Sequence, residues 1–507
     1  MSLATINSRA LLGVDTIEVT VETHLSNGLP GFAIVGLPET AVKESKERVR
    51  SAIINSGLDF PSRRITVNLA PADLPKAGGR YDLAIALSIL AASGQLDKDS
   101  LGEIEVLGEL ALDGSVREVH GAVSAIIGAK AKNNKIILPL ANSNELALVA
   151  YSKGYCVKSL LQLIDHLTNK TSLINYQNLP RRQKPMLCSV HGFSEVRGQA
   201  GAKRAVQIAA AGRHNLLMIG PPGSGKTLLA NILIGLLPNL NEAEALEVAM
   251  VKSAAKLQLN GANWQQRPIR TPHHSATAVS LVGGGSKANP GEISLAHCGV
   301  LFLDELTQFK PSALDALREP LESGEITVSR ANYRIKYPAN FQLLAAMNPC
   351  PCGYASDPTH ECRCSEDKVT RYLGKLSGPL LDRLDLIIEV PSLSQAELLQ
   401  HSNETTDWAD IRNKIEQCRE LQTQRNGKLN SELKIGEIEQ YCQLSTSLRK
   451  LLANTMDKLS MSARATHRVI KMARTIADFE NSAQIRKRDI LEAISYRRCQ
   501  FLKSVIR

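Results

Sequence analysis

The stretch Leu216-Leu-Met-Ile-Gly-Pro-Pro-Gly-Ser-Gly-Lys-Thr227, followed at once by Leu228-Leu-Ala-Asn-Ile-Leu-Ile-Gly-Leu-Leu237, decides the fold. Four apolar residues read as a buried strand, the glycine-rich turn breaks it, and the second apolar run reads as a helix. Strand, G-x-x-x-x-G-K-[ST] loop and helix in that order form a phosphate cradle. Gly220, Pro221, Pro222, Gly223, Ser224 and Gly225 shape a loop whose backbone N–H groups can face anionic oxygens at a helix N-terminus. Lys226 supplies a cation for the β and γ phosphates of ATP, and Thr227 offers a hydroxyl to Mg²⁺.

Downstream, Gly299-Val-Leu-Phe-Leu-Asp-Glu305 is an apolar strand closed by two carboxylates, and Phe341-Gln-Leu-Leu-Ala-Ala-Met-Asn348 is another closed by an amide. Open α/β sheets collect ligands at the carboxyl ends of their strands. This placement predicts Asp304 on the Mg²⁺ shell, Glu305 against the attacking water and Asn348 orienting water or the γ-phosphate. Short buried strands separated by helices indicate a parallel, doubly wound sheet.

The rest of the 507 residues divides around that core. Residues 1–175 alternate β-branched runs with helical patterns, so a separate α/β domain is expected. Residues 176–190, polar and proline-bearing, read as a linker; residues 191–391 hold the ATPase pattern; in 392–507 strand signals vanish, which predicts a helical lid. The net charge of +10 lies entirely beyond residue 180, weak support for a polyanionic partner against a merely basic solvated surface. No window approaches about eighteen consecutive apolar residues and no leader pattern opens the chain, which predicts a cytoplasmic protein without a membrane span.

Four of the ten cysteines, Cys350, Cys352, Cys362 and Cys364, crowd into the MNPCPCGYASDPTHECRCS stretch. Two close thiol pairs give the ligand count of a closed tetrahedral Zn²⁺ site, with disulfides, an iron–sulfur cluster or His360 in place of one thiol as the competing readings. Such a site would fold a loop too short to bury a core of its own. His273 and His274 lack further ligands nearby in sequence, so packing or hydrogen bonding is expected of them.

The order of P-loop, LFLDE and AAMN before a helical lid resembles the AAA+ ATPases, with Phe193-Ser-Glu-Val-Arg-Gly-Gln199 similar to that family's adenine-side box. Arg270-Thr-Pro-His-His-Ser-Ala-Thr-Ala-Val-Ser-Leu-Val-Gly-Gly-Gly-Ser-Lys-Ala-Asn-Pro-Gly-Glu-Ile-Ser-Leu-Ala-His297, together with CPCG, resembles the ComM/YifB group of magnesium-chelatase-like proteins over nearly the full length. The resemblance implies Arg383, in Gly378-Pro-Leu-Leu-Asp-Arg-Leu-Asp385, as an arginine finger delivered to a neighbouring subunit's ATP. It puts Arg464 in the sensor 2 region, with Arg468 competing, and implies a homo-hexamer. It also implies a Lon-protease-like first domain whose serine and lysine positions carry Arg80 or Tyr81 and Val123, so neither member of the catalytic dyad is present.

By the same resemblance the chain would be a DNA helicase promoting branch migration during natural transformation, with recombination proteins as further partners. The residues bear separately on DNA. Lys287 lies in a flexible Gly283-Gly-Gly-Ser-Lys287 loop, and residues 324–336 read as a β-hairpin with Arg330 near its tip and Arg334 and Lys336 on the return; a hairpin serving only solubility is the competing reading. A protein-remodelling ATPase like the MoxR chaperones would share every nucleotide residue, and a magnesium-chelatase subunit is a third reading.

Overall fold

The computed structural model describes residues 2–179, 198–259, 263–285, 288–330, 333–355, 357, 360–392, 408–459 and 461–497. The chain forms two compact units. The first comprises Met1–Met186 with Glu242–Gln265, the second Leu187–Asn241 with Gln266–Arg507.

In the first unit an eight-stranded mixed sheet runs Ile174–Asn175, Gly154–Val157, Lys135–Pro139, Ile104–Val106, Ser2–Leu12, Asp15–Ser26, Arg64–Ala70, Gly31–Val35 in spatial order. The second strand of the chain shows why it forms: Val19, Val21, Thr23 and Leu25 point into the core at period two, while their neighbours meet solvent. Helix Asp82–Ala92, buried along its whole length, packs against the strands Ser2–Leu12 and Asp15–Ser26.

Helix Glu242–Ala254 belongs to this unit as well, although the sequence reading runs the ATPase domain unbroken from 191 to 391. Ala249, Leu246 and Met250 join the apolar cluster around Ala122, Ile126 and Tyr151. Tyr176 and Leu179 join it too, so the first unit continues into the stretch read as linker. Arg80, Tyr81 and Val123 are all buried, with the Arg80 guanidinium donating to the carbonyls of Arg9 and His120. The positions expected to carry a peptidase dyad therefore build core.

The second unit holds a five-stranded parallel sheet in the order Ile269–Arg270, Val300–Leu303, Gln342–Met347, Leu216–Ile219, Leu386–Glu389. The three strands read from the sequence are wholly buried, as a parallel sheet covered on both faces requires. The two edge strands were not anticipated: Ile269–Arg270 is two residues long, and Leu386–Glu389 follows directly on a charged turn.

Helices Trp408–Asn426, Ile435–Tyr441, Thr446–Leu459, Ala463–Phe479 and Lys487–Ser495 form the C-terminal region, with no strand among its described residues. Their apolar faces merge with helices Ala200–Gly212 and Lys226–Leu236 in one core. Buried carboxylates anchor arginines here, Asp478 meeting the buried Arg474 as well as the partly exposed Arg425. Arg425 clasps Asp478 through two bonds of 2.6 and 2.7 Å, and Arg468 donates to Asp385 at 2.6 Å.

Burial alone would raise the Asp385 carboxyl, but Arg468, with His214 and the Asn215 N–H, holds it well below the usual carboxylate range. Removing one member of such a pair strands the other, at a cost of about 3–5 kcal/mol. Asp385→Ala should accordingly lower the melting temperature of the second unit by about 10 °C in a thermal scan. A drop under about 2 °C would show the pair to be dispensable.

Candidate active site

Parallel register brings the ends of three strands to one edge: Ile219 is level with Met347, and Leu303 with Ala345. Gly220, Asp304 and Asn348 follow directly. The P-loop leaves its strand at Gly220, where a Cβ would lie 2.1 Å from the Val390 carbonyl oxygen, so only glycine fits. Gly223 and Gly225 take φ of 75° and 85°, the left-handed conformation that glycine adopts without strain.

Lys226 opens its helix and turns back across the loop. Its Nζ donates to the carbonyls of Gly220 and Pro221, both at 2.8 Å, and to Oδ1 of Asn348 at 3.2 Å. Burial lowers the Lys226 ammonium from its ordinary range, partly opposed by Asp304. A cation held only by neutral oxygens is poised for an anionic ligand. Thr227 Oγ1 donates to Asp304 Oδ2 at 3.3 Å, which places a hydroxyl and a carboxylate side by side as oxygen donors for Mg²⁺.

Glu305 adopts φ 50°, a left-handed conformation uncommon for a residue with a side chain. Its half-exposed carboxylate meets His274 Nδ1 at 3.3 Å. The His274 ring in turn lies 4.0 Å from that of His273, whose Nδ1 pairs with Ser275 Oγ at 2.8 Å. His273 thus hydrogen-bonds to Ser275, while His274 lies within ion-pair distance of the carboxylate expected to face water. Sequence reasoning missed that contact because no spacing links positions 274 and 305; only the neighbouring ends of two strands do. Gln199, which closes the stretch similar to the adenine-side box, also makes a contact that no spacing shows. The Gln199 amide donates to the Ser224 carbonyl at 2.9 Å and to that of Pro391 at 3.0 Å, bracing the P-loop. Residues 193–197 of the adenine-side box lie outside the described residues.

Neither Arg383 nor Arg464 has a hydrogen bond or ion pair with Lys226, Asp304, Glu305 or Asn348. Both meet Glu322 instead: Arg383 Nη2 donates to Oε2, and Arg464 Nη2 to Oε1 at 3.3 Å. Arg468, the competing sensor 2 position, donates to Asp385 Oδ1 at 2.6 Å.

The four cluster thiols converge. Cys350 Sγ is 3.3 Å from that of Cys352 and 3.7 Å from that of Cys362, Cys352 and Cys362 are 3.6 Å apart, and all four sulfurs lie within 4.8 Å of one another. A tetrahedron with Zn–S bonds of about 2.3 Å puts its sulfurs about 3.8 Å apart, so the donor set fits the ion. His360 stands aside, stacked on Tyr354 with ring centroids 4.8 Å apart and its Nδ1 3.2 Å from Asp357. Backbone N–H donation, Tyr354 first, lowers the Cys352 thiol to about 6, while burial pushes Cys350 up. Gly353 brings this knuckle against the P-loop: a Cβ there would lie 2.6 Å from Cδ of Pro222.

The hairpin read at 324–336 is present as strands Glu325–Arg330 and Tyr333–Pro338, with Arg330 opposite Tyr333 next to the turn. Arg334 and Lys336 are exposed on the return strand, Lys336 3.4 Å from Glu325. Lys287 lies outside the described residues.

Models of magnesium-chelatase subunit ChlI match residues 21–142 and 192–398, and a model of its C-terminal part matches 405–497. The chain is 49% identical over 505 residues to competence protein ComM of Haemophilus influenzae, covering 98% of each. It is 47% identical over 501 residues to the protein YifB of Escherichia coli, covering 98% of this chain and 97% of that one. The 38 kDa magnesium-chelatase subunit of Rhodobacter capsulatus is 27% identical over 225 residues, 41% of this chain and 58% of that one. Three family models laid end to end along an α/β unit, a P-loop sheet and a helical region, with near full-length identity to ComM and YifB, place this chain in the ComM/YifB family of magnesium-chelatase-like AAA+ proteins.

Proposed function

We propose that the protein hydrolyses ATP in a ring of identical subunits, six by family resemblance, and uses the cycle to move along DNA during homologous recombination, promoting branch migration when incoming DNA is integrated. What carries the reading is the meeting of Lys226, Thr227, Asp304, Glu305 and Asn348 at one edge of the parallel sheet. The loop from Gly220 to Gly225 would cradle the phosphates. Lys226 would exchange Asn348 and the two carbonyls for phosphate oxygens, while Thr227 and Asp304 held Mg²⁺, which neutralises charge developing on those oxygens. Glu305 would take the proton of the attacking water, with His274 fixing its carboxylate, and Asn348 would orient that water or the γ-phosphate. Arg383, delivered from an adjoining copy, would complete the pocket, with Arg464 beside it. The first unit, its dyad positions buried, is assigned a binding or assembly role.

DNA is favoured as the track by the basic excess beyond residue 180, by the exposed Arg334 and Lys336, and by the competence name of the Haemophilus influenzae relative. Arg330 and Lys287 are proposed as further phosphate contacts on their sequence positions. Single-stranded DNA should raise ATP turnover several-fold, and the stimulation should fade as salt rises, because phosphate contacts release counterions. The double charge reversal Arg334→Glu with Lys336→Glu should abolish the stimulation and spare the basal rate. Stimulation by an unfolded protein and none by DNA would instead assign the motor to protein remodelling.

Zinc is assigned to Cys350, Cys352, Cys362 and Cys364 as a structural ion. Because Gly353 packs on Pro222, stripping the metal with a chelator should raise KM for ATP at least about fivefold and expose all four thiols to alkylation. Purified protein that carries no zinc and alkylates at all four positions in the native state would remove the ion from the account.

A further inference from the structure

Arg383 and Arg464 are singled out by separate motifs, yet they share one acceptor, the carboxylate of Glu322, with one arginine on each oxygen. The Arg383 side chain is 11% exposed and its Nε, itself buried, has no hydrogen-bond partner. The guanidinium is held through both Nη groups, Nη1 donating to the Pro379 carbonyl at 2.8 Å and Nη2 to Glu322. It lines an open cavity of about 550 Å³ together with Asp315, Arg318 and Glu319.

Glu322 also occupies a particular place in the chain. It lies on the short turn Pro320–Ser323, three residues ahead of the basic hairpin strand Glu325–Arg330. Ser323 Oγ, the next side chain, accepts from the Glu325 N–H at 3.1 Å and lies within donating distance of the carbonyls of Glu319, 3.0 Å, and Glu325, 2.8 Å, tying that turn to the strand. The Ala339 N–H closes the hairpin base on Gly324 O at 2.8 Å.

We infer that Glu322 is a positioning residue: it gathers Arg383 and Arg464 into one cationic pair for a phosphate group of the adjoining copy, and links that pair to the root of the basic hairpin. The inference rests on the reading of Arg383 as a residue acting between copies. A carboxylate shared by two guanidiniums orders both side chains before the phosphate arrives, so less entropy is lost as the pocket closes. Phosphate meeting the clamped arginines would pull through Glu322 on the turn that Ser323 ties to the strand, giving the hairpin a mechanical report of the neighbour's nucleotide.

The test is steady-state ATP turnover by the full-length assembled protein, with and without single-stranded DNA. Glu322→Gln should lower kcat about tenfold with KM for ATP within about twofold, and should shrink the DNA stimulation relative to the basal rate. Glu322→Asp should recover most of both. Combined with Arg464→Ala, Glu322→Gln should lose less than the product of the two single losses, because both act on one clamp. Glu322→Gln turning over within twofold of the parent with unchanged DNA stimulation, or losses that multiply fully with Arg464→Ala, would overturn the proposal. If that happens while Arg383→Ala is inactive, the arginine finger stands and only the clamp fails. Full turnover by Arg383→Ala removes both.

Discussion

Glu305→Gln is expected to bind ATP as tightly as the parent protein and to hydrolyse it about 10²–10⁴-fold more slowly, the range a positioned general base contributes. The expectation follows from where the carboxylate sits. Asp304 faces Thr227 and Lys226, whereas Glu305 turns aside through its left-handed backbone toward His274. An amide there keeps size and hydrogen bonding but cannot take a proton from water. Equilibrium binding of a fluorescent ATP analogue beside steady-state phosphate release separates the two effects. Turnover unchanged within about twofold would remove Glu305 from the chemistry and leave Asp304 as the only carboxylate at the strand end.

Arg383→Ala should lower kcat by about 10³-fold or more, the scale of a guanidinium supplied to a phosphoryl transition state. The variant should still fold. Arg383 bonds the Pro379 carbonyl within its own turn and Glu322 on a neighbouring one, and it carries no buried ionic network. Asp385, two residues further on, does carry one, so the two substitutions should part cleanly: loss of stability for Asp385, loss of rate for Arg383. Among the described residues the hydrogen bonds of Arg383 go to Pro379 and Glu322, and none goes to a P-loop residue.

Local chemistry made much of this site legible in the sequence. The P-loop, the LFLDE strand and the AAMN strand are each short apolar runs closed by one kind of polar residue, and burial on both faces of a parallel sheet explains both features. The four thiols were legible for the same reason, since ligands for one ion crowd together in a short loop. Contacts made by tertiary placement were not legible. His274 reaches Glu305 and Glu322 reaches Arg383 and Arg464 across 31, 61 and 142 residues of chain. Helix Glu242–Ala254 looked like part of the ATPase domain because it lies between two of its strands, but its apolar face packs in the other unit. The edge strand Ile269–Arg270 was too short to carry a period.

The central claim is that each ATP pocket is built by two copies of the chain, and mixing tests it most directly. Lys226→Ala removes the phosphate cation and keeps the finger; Arg383→Ala removes the finger and keeps the pocket. Each variant alone should be nearly inert. Co-assembled in equal amounts and measured by phosphate release alongside oligomeric mass, they should regain about a quarter of the parent turnover per subunit, since Arg383→Ala pockets then meet intact fingers on Lys226→Ala neighbours in roughly that share of random neighbour pairs. No recovery in mixed assemblies of full oligomeric mass, or parent-level turnover by Arg383→Ala or by a strictly monomeric chain, would contradict the account.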